Sequence, residues 1–301
     1  MSDVAQRSTS VTVAVTQHSQ DSAAPGAGKS PGNILVVEDN PVSRRVAEAM
    51  LRDLGFQADV VVDGAEAVKA ATVTSYRAIL MDCAIPVLDG YEATLEIRRQ
   101  EGVLRRTPII AVTSSAVSSN QERCMAAGMD DYLAKPLRSF SLAAVLAHWV
   151  PDGAGPSIRV DPTEPPPETR LYLDPTAVAD HHVLDPGVVR RLELLGVASG
   201  EDLIGQLAVL FVEDADNRVE AMRKGLAGED YSAVSRAAHS LSGAGGNVGA
   251  SHLATLCDTL ATDIEADMET SDLHRGWRLL EAIEAEVGRV GTALASLRPP
   301  S

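Results

Sequence analysis

The stretch that decides the fold of the N-terminal half is NILVVEDNPVSRRVAEAMLRDLG, residues 33–55. It opens with a short apolar run of the kind that forms a buried parallel strand. A helix over 41–54 is predicted next, because Pro41 suits the first helical turn and Gly55 suits the position after the last one. One apolar stripe of this helix consists of Val46, Met50 and Leu54. The stretch therefore indicates one strand–helix unit.

The same pattern recurs four times before about residue 150. The further strand candidates are QADVV (57–61), AILM (78–81), PIIAV (108–112) and DYLA (131–134). Helical patterns lie between them. Strands that alternate with helices predict an α/β fold with a doubly wound parallel sheet.

Composition divides the chain into four segments. Residues 1–31 are rich in Ser, Thr, Gln, Ala and Gly without sustained periodicity, which predicts a disordered tail. The α/β pattern fills 32–150. Seven prolines within 151–182 indicate a semi-extended linker. Residues 183–298 are helical in pattern throughout, with roughly four helices, so we expect an all-α bundle.

Charge and cysteine usage limit the possible functions. The formal net charge of −16 and the absence of a basic stripe argue against binding to nucleic acid or to an anionic membrane surface. The three cysteines show no CxxC spacing, which favours reduced thiols. No apolar run approaches the ~18–20 residues of a membrane span. We therefore expect a cytoplasmic protein.

Polar side chains follow the apolar runs at four strand ends. Glu38 and Asp39 follow the first run, Asp82 the third, Thr113 the fourth and Lys135 the fifth. Chemistry in doubly wound sheets lies beyond the carboxyl ends of the strands. Three carboxylates that meet there repel one another unless a hard cation such as Mg²⁺ binds them. A hydroxyl and an ammonium opposite them suit the oxygens of a transferred phosphoryl group.

This half of the chain resembles the receiver domain of response regulators, which implies a flavodoxin-like (βα)5 fold. The matching motifs are ILVVEDNPVSRR (34–45), AILMDCAIPVLDGYEAT (78–94), PIIAVTSSA (108–116) and DYLAKPL (131–137). By this resemblance Asp82 is the phosphoryl acceptor. The resemblance also implies a set of magnesium ligands, namely Glu38, Asp39, Asp82 and the backbone carbonyl of Ala84.

The same resemblance assigns roles at the last two strands. Thr113 and Lys135 would contact the phosphoryl group. Tyr132 matches an aromatic residue that changes rotamer on phosphorylation. The bond between Lys135 and Pro136 matches a peptide bond that is usually cis in this family, and a bond before proline tolerates the cis form.

One histidine stands out in the helical segment, within YSAVSRAAHSLSGAGGNVGA (231–250). Apolar residues of this helix fall on one stripe, and His239 points roughly 140° away from it. Ser242, Gly243 and Gly246 lie on the histidine's side. Glycine inside a helix costs about 0.5–1 kcal/mol relative to alanine. Two explanations remain open: close approach of a partner, or a helix end at Gly243.

The helical segment resembles a histidine phosphotransfer (HPt) domain through AHSLSGAGGNVGA (238–250) and VLDPGVVRRLELLG (183–196). By this resemblance His239 is the phosphohistidine, and Gly243 and Ser242 lie where a receiver docks. Many such domains carry Lys three residues after the histidine, whereas this chain has Ser242. Arg236, one helical turn before His239, is a candidate for the missing charge.

Together the two resemblances imply a phosphorelay protein that needs Mg²⁺ and has no ATP-dependent activity of its own. Its expected partners are a sensor histidine kinase and other receiver domains. The linker is long enough for Asp82 and His239 to meet in one molecule, at roughly 30 Å reach, and its prolines could equally keep the domains apart. The alternative is a non-catalytic interaction module that phosphorylation controls and whose helical domain only docks partners. The order of the two domains is also that of hybrid sensor-kinase tails.

Overall fold

The computed structural model describes residues 33–101, 106–113, 118–151, 183–266 and 273–297. The predicted tail (1–31) and the linker from residue 152 to 182 lie outside the described residues. The described chain forms two units, an α/β domain and a helical domain, which pack directly against each other.

The first unit is a five-stranded parallel sheet in the order β2-β1-β3-β4-β5. Its strands are β1 (Ile34–Val37), β2 (Ala58–Val61), β3 (Ala78–Asp82), β4 (Ile109–Thr113) and β5 (Asp131–Ala134). Its helices are α1 (Pro41–Asp53), α2 (Gly64–Val73), α3 (Gly90–Gln100), α4 (Ser118–Ala126) and α5 (Ser139–Trp149). The predicted doubly wound sheet is confirmed. Strands β1, β3 and β4 are buried along their whole length, as their unbroken apolar sequences require.

Local chemistry fixes where α1 begins and ends. The side-chain oxygen of Asn40 accepts hydrogen bonds from the backbone N–H groups of Val42 and Ser43, which caps the helix. The helix ends at Asp53, one residue before the predicted end, and Gly55 adopts a positive φ of 80° just beyond it. Helix α1 therefore starts directly after the acidic pair at the end of β1.

The second unit contains five helices within the described ranges, where the sequence suggested roughly four. They are α6 (Pro186–Ser199), α7 (Leu203–Ala227), α8 (Tyr231–Val248), α9 (Ser251–Ala266) and α10 (Leu273–Ser296). Helices α7 to α10 pack as a bundle, and the additional helix α6 lies against α7 and α8. Helix α8 runs through Gly243 and stops at Gly249, which has φ 85°, so a helix end at Gly243 is wrong.

The helical domain packs on α1 through helices α6, α7 and α8. A single cluster of buried apolar side chains extends from the α1 side of the sheet into the interior of the bundle. Polar contacts flank this apolar contact: Asn247 Nδ2 donates to Ser43 Oγ at 3.0 Å, and Arg45 Nε donates to Gln206 Oε1 at 2.7 Å. The bundle thus covers the helix that leads away from the acidic end of β1. Within the described ranges, none of the helices has the length and apolar character that crossing a membrane requires.

Candidate functional site

Three carboxylates converge at the carboxyl ends of β1 and β3. Oxygen atoms of Glu38, Asp39 and Asp82 all lie within 4.8 Å of one another. Glu38 and Asp82 are buried, and Asp39 is half-buried. Burial raises the pKa of Glu38 to about 8, and the charges of Asp82 and Asp39 add to this effect while Lys135 opposes it. The sequence predicted that these side chains meet, and the fold brings them together.

Lys135 closes the other side of this acidic cluster. Its Nζ lies 2.7 Å from Glu38 Oε2 and 2.7 Å from Asp82 Oδ2. Burial alone would lower the pKa of Lys135, but Asp82 and Glu38 hold it above its ordinary value. The ammonium therefore remains charged and faces the predicted phosphoryl acceptor. The peptide bond from Lys135 to Pro136 is cis, as the resemblance implies.

The remaining predicted residues of the first domain surround the same edge. Thr113 is buried as the last residue of β4, next to β3 in the sheet. The backbone N–H of Ala84 donates to Asp82 Oδ1 at 3.0 Å, which holds the carboxylate in one orientation. Tyr132 lies on β5 and is 38% exposed, so its ring has room to move.

The donor set fits a magnesium ion. Three carboxylates within 4.8 Å of one another supply the hard oxygen ligands that magnesium prefers. Burial is the main cause of the raised pKa of Glu38, and repulsion from Asp82 and Asp39 adds to it. A divalent ion would remove that repulsion.

The second domain contributes a cation to the edge of this cluster. Arg218, on α7, places Nη2 2.9 Å from Asp39 Oδ2 and Nε 3.2 Å from Asp214 Oδ1. Asp214 Oδ2 in turn accepts a hydrogen bond of 2.6 Å from Asn40 Nδ2. Sequence reasoning missed Arg218, Asp214 and Asn40. Only the i,i+4 spacing of the first two was visible, and such a pair is usual on any solvated helix.

His239 lies on the face of α8 that meets the first domain. On the same helix, Ser240 Oγ accepts a hydrogen bond of 3.2 Å from Nδ2 of Asn40, the residue that caps α1. A Cβ atom added to Gly243 would lie 3.5 Å from Lys135 Cδ. His239 is one helical turn from Gly243, about 6 Å along the axis. The half-buried imidazole therefore lies on the face of α8 that packs on the first domain, and not in the apolar interior of the bundle.

Two polar side chains near His239, Ser242 and Arg236, are placed differently from what the sequence suggested. Ser242 is buried, with 7% exposure, so it is not an open surface hydroxyl. Arg236 is exposed, and its Nη1 donates to Ser232 Oγ at 2.6 Å within its own helix. The suggestion that Arg236 replaces the missing lysine is not supported by this geometry, because its partner lies one turn earlier on α8.

Comparisons with known proteins agree with the two-part architecture. The family model described as the response regulator receiver domain matches residues 34–147, and the Hpt domain model matches residues 206–293. The signal transduction histidine-protein kinase BarA of Shigella flexneri is 30% identical over 83% of this chain. The sensor protein GacS of Pseudomonas syringae pv. syringae is 30% identical over 80% of it. The chain spans only 26% and 25% of these two relatives.

Among solved structures, the chain is similar to the receiver domain of sensor histidine kinase PA1611 from Pseudomonas aeruginosa PAO1. The two are 54% identical, and the match covers 41% of this chain and 98% of that one, with a TM-score of 0.37. That structure is described as having a magnesium ion coordinated in its active-site cleft.

Proposed function

Because the chain consists of a response regulator receiver domain followed by an Hpt domain, we propose that it passes phosphoryl groups between Asp82 and His239 in a phosphorelay. In this proposal a sensor histidine kinase phosphorylates Asp82. His239 then takes the phosphoryl group and exchanges it with other receiver domains. The proposal places the protein in the cytoplasm, where a kinase has access to ATP. The acidic surface gives no support for a nucleic-acid or membrane partner.

A single observation carries the proposal: the helix face that presents His239 is docked on the edge that presents Asp82. Gly243 approaches Lys135, and Lys135 Nζ lies 2.7 Å from Asp82 Oδ2. The absence of a Cβ at Gly246 lets the backbone of α8 come close to the loop after β5, because an added Cβ would lie 3.2 Å from Pro136 Cβ. A helical domain that merely docked other proteins would not need its histidine at this position.

The chain's own residues can support the transfer step. The bond between phosphorus and the Asp82 carboxylate oxygen breaks, its electron pair stays on the carboxylate, and a lone pair of the His239 imidazole forms the new P–N bond. Lys135, which directly follows β5, and Thr113, at the end of the neighbouring strand β4, stabilise negative charge on the phosphoryl oxygens. The N–H of Ala84 orients Asp82.

Magnesium would be held by Glu38, Asp39 and Asp82, together with the backbone carbonyl of Ala84. Once bound, it would offset charge on the three carboxylates and on the phosphoryl oxygens. The convergence of the carboxylate oxygens within 4.8 Å supports this assignment.

Single-turnover labelling tests the proposal. A kinase from the same cell, or a labelled small-molecule phosphoryl donor, is added to the full chain with Mg²⁺. We expect acid-labile, base-stable label on His239 of the wild type. Asp82→Ala should accept nothing, and His239→Ala should accept label on Asp82 without passing it on. His252→Ala is the matched control, because His252 is 63% exposed and pairs with Glu286 inside the helical domain.

Two outcomes decide between the relay and the interaction module. If wild-type protein holds label on Asp82 and His239 never receives any, the helical domain is only a docking module. Transfer within one molecule should proceed at a rate independent of protein concentration, since both groups belong to one chain. A mixture of Asp82→Ala and His239→Ala chains should transfer more slowly and in proportion to concentration.

A further inference from the structure

Arg218 is a side chain of the Hpt domain that reaches a carboxylate of the receiver domain, that of Asp39. Its guanidinium spans the domain boundary between Asp39 and Asp214, and it is 23% exposed. Both contacts are charge-assisted, a type of hydrogen bond that is short and strong. The residue lies on α7, whereas His239 lies on α8, so two helices of the bundle approach the same acidic edge.

A short chain of contacts fixes the orientation of this guanidinium. Asn40 donates from Nδ2 to Asp214 Oδ2 at 2.6 Å, and Asp214 Oδ1 accepts from Nε of Arg218. The remaining Nη2 is thereby aimed at Asp39 Oδ2, at 2.9 Å. Because Asn40 is also the N-cap of α1, the arrangement ties Arg218 to the backbone that carries the acidic pair.

Neither Ser242 nor Arg236, the two positions that the sequence suggested for a charge beside His239, supplies a positive charge comparable to that of Arg218. Ser242 is a buried hydroxyl, and Arg236 binds Ser232 on the exposed side of α8. Within the described part of the bundle, the ion pair that reaches the acidic cluster is the one between Arg218 and Asp39.

We propose that Arg218 is a positioning residue for transfer between Asp82 and His239, and that it couples docking of the Hpt domain to the charge at the magnesium site. The proposal rests on the proposed function. Docking places the positive charge of Arg218 beside Asp39, one of the three carboxylates of the magnesium site. Arg218 thereby holds the two domains in register while it weakens magnesium binding in the docked state. By reciprocity, bound magnesium weakens the contact between Arg218 and Asp39.

Coulomb's law gives the size of the effect of Arg218 on magnesium binding. Arg218 Nη2 lies 2.9 Å from Asp39 Oδ2, and a magnesium ion on Asp39 would lie about 2 Å from a carboxylate oxygen, so the centres of the two charges would be roughly 6 Å apart. At that separation, a divalent and a monovalent cation in a water-like dielectric repel by an amount equivalent to about a tenfold change in affinity. Salt screening at physiological ionic strength reduces this to roughly threefold. Removal of the Arg218 charge should therefore tighten magnesium binding by about three- to tenfold.

The test uses the full chain with Arg218→Gln, Arg218→Lys and the control Arg223→Gln. Arg223 lies on the same helix but pairs with Glu220 and Glu284 inside the bundle, so its variant loses the same charge elsewhere. Two quantities are measured: the magnesium dissociation constant by titration calorimetry, and the rate at which label moves from Asp82 to His239 at saturating magnesium. Thermal unfolding verifies that each variant is folded.

We expect Arg218→Gln to bind magnesium about three- to tenfold more tightly. It should transfer about tenfold more slowly, because a hydrogen bond to a charged group is lost between the domains. Arg218→Lys should restore part of both properties, and Arg223→Gln should match wild type. Unchanged magnesium affinity in Arg218→Gln, or an unchanged transfer rate, overturns the proposal. A wild-type protein that never labels His239 would instead refute the proposed function, and the magnesium measurement would still report on Arg218.

Discussion

Substitution of Gly246 by alanine should separate the stability of α8 from its docking on the receiver domain. A Cβ atom at this position would lie 3.2 Å from Pro136 Cβ and 3.3 Å from Pro136 Cγ. Both distances are shorter than the 3.5–4.0 Å or so that is optimal for two carbon atoms. The proline ring is rigid, so the helix or the loop after β5 must move apart.

Two opposing magnitudes follow from this geometry. Alanine stabilises a helix interior by about 0.5–1 kcal/mol relative to glycine, so the Hpt domain itself should become more stable. Overpacking typically costs about 1–3 kcal/mol. The docked arrangement should therefore lose about 1–3 kcal/mol, which lowers the docking equilibrium by roughly 5- to 150-fold.

Gly243→Ala is the matched control, because its Cβ would lie 3.5 Å from Lys135 Cδ, an ordinary contact. Both variants should raise the unfolding temperature of the Hpt domain. Only Gly246→Ala should slow transfer from Asp82 to His239, measured in a single turnover of full-length protein. Equal transfer rates in the two variants would refute the reasoning, since the two positions would then be equally distant from the receiver in solution.

Two further predictions concern charge. Glu201 of the helical domain pairs with Arg45 and, at 2.7 Å, with Arg52 of α1. Glu201→Gln should therefore slow transfer severalfold at low salt. The difference between the transfer rates of variant and wild type should shrink as salt is added. Transfer rates that do not respond to salt in either protein would contradict this. Glu38 has a pKa raised to about 8 because it is buried, so below that pH magnesium must displace its proton. Magnesium affinity should therefore rise by up to about tenfold per pH unit between pH 6.5 and 7.5 and level off above pH 8. Calorimetry at several pH values measures this profile. A flat profile would mean that Glu38 is already ionised.

The sequence was sufficient to predict the sheet and the acidic edge. Apolar runs identify buried parallel strands, and the direction of those strands forces Glu38, Asp39 and Asp82 to one end. The helical face of His239 was equally readable, because a helix has a fixed period. These features depend on neighbours in sequence or on the geometry of one regular element.

The contacts between the domains could not be read in the same way. Arg218 and Asp39 are 179 residues apart, and nothing in either segment identifies the other as its partner. The orientation of Arg236 was unreadable for a related reason: closeness to His239 along the helix does not fix where a long side chain points, and Arg236 donates to Ser232. The prediction of roughly four helices omitted one, although helix α6 has clear signals: Asp185 caps it and Gly200 ends it.

The bundle occupies the flank of the receiver domain from which Asp82 would be approached, through its contacts with α1 and with the loop after β5. Under the proposed function, a kinase that phosphorylates Asp82 would compete with a domain of the same chain, whose local concentration does not fall on dilution. The frequency with which the two domains separate would then set an upper limit on the rate at which Asp82 is phosphorylated again.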